Sequence, residues 1–185
     1  MAFVVVYDAN VLYPNTLRDL HIRIARAGLV QAKWTDLILD EAMRARTRNH
    51  QDVPAEKVQR LRELINDAVR DCLVTGYEPL IDGLKLPDPE DRHVLAAAIK
   101  AGAQVIVTAN LRDFPATELA PLGIEAKSPD DFILDQISID ARIVYSCVSD
   151  IATIRKNPAQ TVEDVLGELE RVGLVQSAAA LRQAP

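Results

Sequence analysis

Phe3 to Val6 is a run of four apolar residues, followed at once by Tyr7 and Asp8, and no other feature narrows the fold as much. A run so short and apolar at every position predicts a strand buried on both faces, as in a parallel sheet between two layers of helices. Asp8 then stands at the strand's carboxyl end, the edge where open α/β sheets bind ligands. A carboxylate there must be solvated, hydrogen-bonded or bound to a cation, because burying it bare is too costly. Capping the next turn is one ordinary way to satisfy it. Pro14-Asn15-Thr16 supplies turn and N-cap chemistry for a first helix.

The same order of elements recurs along the chain. Leu17, Leu20, Ile24 and Ala27 define an amphipathic helix over 15–28, ended by Gly28. Val30 to Trp34 predicts a short second strand, and Thr35 or Asp36 caps a helix that carries Glu41. The basic run Arg44 to His50 follows, and Val53-Pro54-Ala55-Glu56 opens a further helix. An extended piece over Cys72–Thr75 and a turn-rich 76–86 lead to Pro87-Asp88-Pro89-Glu90-Asp91. Val94 to Ile99 reads as a heavily buried helix stopped by Gly102, and Gln104–Thr108 as a second buried strand ending in polar residues up to Asp113. A brief helix over 117–122 and a strand over 124–127 complete the alternation. It predicts an α/β fold: a doubly wound, mostly parallel sheet flanked by helices.

Ser128-Pro129-Asp130-Asp131 starts a helix running towards Ile154, broken once; Asn157-Pro158 ends it, and Thr161 caps another that stops near Gly173. The division expected is residues 1–128 as the α/β domain and 129–185 as a C-terminal helical extension.

Composition bounds the function classes. At 185 residues and 49% hydrophobic, the chain can bury one substantial core, and with 4% aromatics that core rests on Val, Leu, Ile and Ala. Cys72 and Cys147 form no ligand pattern, and no apolar run approaches the roughly 20 residues of a membrane helix. The apolar run at the N-terminus lacks a basic leader and is too short for a signal peptide. A reduced cytoplasmic protein without membrane contact is the expectation. Net charge is -6, but residues 128–185 hold nine acids against five bases, and residues 1–127 eighteen against sixteen. Four acids gathered around cations would leave the rest of the first part net positive, so nucleic acid stays open as a partner.

Four acids fall at matching places: Asp8 after the first strand, Glu41 on the helix after the second, Asp91 at the start of the buried helix, and Asp113 after the strand ending at Thr108. Asp88 lies three residues before Asp91. In a parallel sheet all can gather at one edge, where a helix N-terminus offsets only a fraction of their repulsion. Carboxylate ligands without cysteine point to Mg²⁺ or Mn²⁺, and such a site suits phosphodiester hydrolysis. Taken singly, each acid is equally an ordinary cap, turn or solvated helix residue. His21, His50 and His93 are scattered and read as helix-face residues, with His93 set apart by its closeness to Asp91.

Four segments carry a resemblance: Val-Val-Tyr-Asp8-Ala-Asn10-Val-Leu-Tyr-Pro, Leu-Asp-Glu41, Pro-Asp88-Pro-Glu-Asp91-Arg-His-Val-Leu-Ala-Ala-Ala, and Val-Thr108-Ala-Asn110-Leu-Arg-Asp113-Phe-Pro. Together, in this order, they resemble the PIN domain, and more closely the VapC-type ribonuclease toxins of bacterial toxin–antitoxin pairs. Ile-Arg155-Lys-Asn-Pro and the segment from Thr161 resemble the helical extension of one subgroup of these toxins. The resemblance implies an endoribonuclease using one or two Mg²⁺ or Mn²⁺ ions, inhibited by a small cognate antitoxin and dimeric. It places catalytic, metal-binding acids at Asp8, Glu41, Asp91 and Asp113, with Asp88 and Asn110 as accessory ligands. Asn10 and Thr108 become polar supports, and Arg44, Arg46, Arg48 and Arg112 become contacts to RNA phosphates. One departure stands out: many family members have Asp where this chain has Asn110, so either Asp113 supplies the fourth carboxylate or a second ion is weakly held.

Two other readings compete. A haloacid-dehalogenase-type phosphatase also begins with Asp after a buried strand, but needs a second Asp where this chain has Asn10. A PIN-like module that binds RNA or a partner without cutting would tolerate Asn110.

Overall fold

The apolar run forms β1 (Phe3–Tyr7), an inner strand of a four-stranded sheet. A computed structural model describes residues 3–49 and 53–183; His50 lies outside the described residues. The other strands are β2 (Val30–Lys33), β3 (Val105–Val107) and β4 (Glu125–Lys127), in the order β2-β1-β3-β4, and every pairing is parallel. Val5 pairs with Ala32 on one side and Val105 on the other. The chain runs outward from β1 to β2, then crosses back to β3 on the far side. That reversal puts the topological switch point between the carboxyl ends of β1 and β3, the crevice where doubly wound sheets bind ligands. Asp8 and Thr108 occupy those two ends.

Local chemistry accounts for the helices. Asp8 caps α1 (Ala9–Leu12), a single turn that the sequence does not announce. The cap expected from Asn15 and Thr16 does not form: α2 (Asn15–Arg26) starts after Pro14 with no side-chain cap. Asn15 instead accepts from Arg18 at 2.6 Å, and the Thr16 hydroxyl donates to Glu168 at 2.6 Å. A neighbouring guanidinium takes the first side chain and a long-range carboxylate the second. Thr35 accepts from the Ile38 amide to begin α3 (Asp36–Asn49), and Pro54 precedes α4 (Ala55–Ala68). The extended piece expected over Cys72–Thr75 reduces to one parallel bridge between Leu73 and Trp34. Next come α5 (Arg92–Ala101), closed by Gly102 at φ +63°, and α6 (Ala116–Leu119).

The extension begins with α7 (Pro129–Ile154), capped by Ser128 and broken once, as its length predicts. At the break, Asp140 leaves helical geometry and accepts from the Arg142 and Ile143 amides, restarting the helix. A capping box of Thr161 and Asp164 opens α8 (Val162–Arg171), and Asp130 receives the first amides of α9 (Val175–Arg182). Phe132, Ile133, Val148, Leu166 and Leu169 join the core that holds Val5, Val6, Leu20 and Ile24. Arg155 donates to Glu168 at 2.7 Å and to Thr16 at 2.9 Å, tying the extension to the start of α2. No described helix is long and apolar enough to cross a membrane.

His21 is a core residue rather than an outward-facing one. It is fully buried, edge-on to Tyr7 and stacked on Phe132, with Nδ1 2.8 Å from the Leu17 carbonyl. Burial pushes its pKa down to about 4. A depressed histidine pKa adds stability above the unfolded value near 6.5 and loses it as pH falls towards 4, because only the unfolded chain takes up the proton. The loss should approach about 3 kcal/mol at pH 4. Urea unfolding between pH 7 and pH 4 should show a slope that flattens in His21→Leu; an unchanged slope would mean that His21 does not titrate on unfolding.

Candidate active site

Asp8 is the buried end of the site. Its side chain takes three hydrogen bonds: from the Ala9 amide at 2.7 Å, from the Thr108 hydroxyl at 2.7 Å and from the Asn10 amide group at 2.8 Å. Asn10 in turn accepts from the Ala109 amide at 3.0 Å, so β1 and the segment after β3 are laced together through these side chains. Asn10 and Thr108 thus stand against Asp8, each as a hydrogen-bond donor to it. Despite these bonds Asp8's pKa lies above the usual carboxylate value, chiefly from burial, with the Glu41 charge adding to it. The cap role and the buried-acid role are filled by one side chain.

Asp91 ends the 3₁₀ turn Pro89–Asp91, and Asp113 ends the turn Leu111–Asp113. These turns bring Asp88, Asp91 and Asp113 together, with one carboxylate oxygen of each within 4.8 Å of the others. Asp88, expected as an accessory, thus stands in the tight group, while Asp8 and Glu41 lie around it. Burial, then the charges of Asp8, Asp88 and Asp113, push Asp91's pKa up to about 6. Among the described residues, none of Asp8, Asp88, Asp91 and Asp113 has a Lys or Arg ion-pair partner. Asn110 donates its amide to Asp113 and so acts on that carboxylate.

Glu41 faces the site from α3, where its Oε1 is 3.0 Å from Nε2 of His93, a buried residue at the second position of α5. The sequence reads His93 as a helix-face residue set apart by its closeness to Asp91; that its ring reaches Glu41 is shown only by the packing of α5 against α3. Between α3 and the start of α5 runs a groove lined by Glu41, Arg44, Arg48, Asp88, Arg92 and His93. Arg44 and Arg48, four residues apart, share that face. Arg46 does not line the groove and lies close enough to Arg18 for their charges to interact. Arg112 is exposed between Leu111 and Asp113.

The donor set is all oxygen, crowded and, among the described residues, without a Lys or Arg ion-paired to Asp8, Asp88, Asp91 or Asp113. It fits a hard divalent cation, which would relieve the repulsion that raises Asp91's pKa.

Comparison with known proteins gives matches over both parts of the chain. A PIN domain family model matches residues 4–112, and a VapC50 C-terminal domain model matches residues 129–183. A Mycobacterium tuberculosis (strain ATCC 25618 / H37Rv) protein named "Putative ribonuclease VapC50" is 38% identical over 94 residues, which cover 51% of this chain and 55% of that protein. The chain thus spans about half the length of the curated relative it matches. No solved structure matches it. The PIN model covers more than half of the chain and every acid of the site but Asp113, and the protein belongs to the PIN-domain family.

Proposed function

We propose that the protein is a Mg²⁺- or Mn²⁺-dependent endoribonuclease acting as the toxin of a toxin–antitoxin pair. The observation that carries this reading is the gathering of Asp88, Asp91 and Asp113 within 4.8 Å beside buried Asp8. Asp8, Asp91 and Asp113, with Asp88, would hold the cation, and Glu41 would complete the site from α3. A bound ion supplies Lewis-acid chemistry, polarising the phosphoryl group and offsetting charge on the leaving oxygen. The chain's own residues orient it: Thr108 and Asn10 fix Asp8, and Asn110 fixes Asp113. Arg44, Arg48 and Arg92 along the groove, with Arg112 beside Asp113, would take RNA phosphates. Arg46, off the groove, drops out of that set.

The relative's printed name supports ribonuclease activity, and the match to the VapC50 C-terminal domain supports the toxin assignment. A small cognate antitoxin and a homodimer belong to the same reading, as does the division into a nuclease domain over 1–128 and an extension over 129–185. Cys72 and Cys147 are free and buried, in keeping with a reducing cytoplasm. The phosphatase reading loses its support, because Asn10 is committed as a donor to Asp8 and no second acid stands there. A non-cleaving PIN-like module keeps one argument: Asn110 stands where an acid is common.

Purified protein incubated with total cellular RNA should give discrete fragments with Mg²⁺ or Mn²⁺ and none with chelator. A folded, antitoxin-free protein that cuts nothing under either ion would transfer the assignment to the binding module.

A further inference from the structure

The Glu41 charge lies close enough to Asp8 to disfavour the ionisation of Asp8. Glu41 sits on a helix surface, its side chain about a third exposed, with Arg44 three residues further along the same helix. A glutamate so placed has three rotatable bonds and an alternative partner in solvent. Something must hold it against the site.

The only described side chain that bonds Glu41 is His93, which reaches it through Nε2 at 3.0 Å. A carboxylate accepts hydrogen bonds, so Nε2 carries the proton. The other ring nitrogen, Nδ1, is buried with no partner among the described residues. An orphaned buried polar atom costs roughly 1–3 kcal/mol, which an apolar side chain in the same place would avoid. His93 is 5% exposed, so the bond at Nε2 is the one polar contact that its burial serves. Its backbone follows Asp91 by two residues, so a single helix start sends one side chain to the carboxylate group and the other to Glu41.

We propose that His93 is a positioning residue: it holds Glu41 by Oε1 against the cation site and leaves Oε2, which has no described protein donor, to the cation or its water. The inference rests on the divalent-cation reading above. Ligating carboxylates that are themselves hydrogen-bonded bind metal more tightly, and loss of such a partner typically lowers affinity 10- to 100-fold.

The test is calorimetric titration of the full chain with Mn²⁺ alone. His93→Leu should weaken binding about tenfold. His93→Gln, whose amide N–H reaches about where imidazole Nε2–H lies, should recover most of the loss. In a Glu41→Gln background, where the carboxylate is gone, His93→Leu should lower affinity little further. Unchanged Mn²⁺ affinity in folded His93→Leu, or an equal fall in both backgrounds, overturns the tether and leaves the cation site standing. Failure of the unmodified protein to bind Mn²⁺ overturns both. One readout needs no variant: ¹⁵N imidazole resonances of the unmodified protein should show a protonated Nε2, and a neutral Nδ1–H ring would overturn the proposal even if the variants failed to fold.

Discussion

Asp8→Asn is expected to lower RNA cleavage about a thousandfold while leaving stability within about 1 kcal/mol of the parent. The activity loss follows from removing a charge fixed at the switch point of the sheet, where a cation would meet it. The stability estimate follows from two opposed effects. Asp8 is 5% exposed and its pKa is raised, so its ionised form costs stability at neutral pH, and amide substitution removes that cost. Against it, the new amide group would face the Asn10 amide, donor against donor, where the carboxylate had accepted. Thr108 cannot simply turn to accept, because its hydroxyl oxygen already takes bonds from the Asn10 amide group and the Asn110 backbone amide, and Asn10 can adapt only by giving up its bond from the Ala109 amide. Fragment analysis of RNA and urea unfolding, run on the same preparation, separate the two effects. Full cleavage by a folded Asp8→Asn protein would remove Asp8 from the metal site.

How far the sequence reaches is visible in these residues. Asp8, Asp91 and Asp113 were legible because a buried strand or helix meets a polar residue at each, and parallel topology sends such junctions to one edge. Local caps were legible for the same reason: Ser128 and Thr161 depend on neighbours within four residues. What escaped depends on distant partners. Thr16 looked like a helix cap, yet Glu168 and Arg155 claim it from 152 and 139 residues away. Asp88 looked secondary to Glu41, and only the path of two 3₁₀ turns shows that it stands with Asp91 and Asp113. His93 looked like a helix-face residue because nothing in the chain says which helix covers it.

Asp91→Asn should lower cleavage about as far as Asp8→Asn does, yet make the cation-free protein more stable at neutral pH. Asp91's pKa is raised from 3.8 to about 6, by burial first and then by Asp8, Asp88 and Asp113. A carboxylate raised on folding favours the folded state at low pH, and that contribution is lost as pH climbs from about 4 through about 6. Above that range the ionised group works against the fold. Asp91 is only partly buried, so solvent screens much of the effect, and a gain on the order of 1 kcal/mol is expected from the substitution at pH 7.5. Below pH 4 the two proteins should converge. Adding Mn²⁺ should reverse their order: the parent gains stability as RT ln(1 + [Mn²⁺]/Kd), while Asp91→Asn, short of a central ligand, gains little. Thermal unfolding at pH 4 and 7.5, with Mn²⁺ and with chelator, measures all four corners. If Asp91→Asn were the less stable protein with chelator at pH 7.5, the four acids would have a partner that already offsets their repulsion, and the case for a cation among them would fall with it.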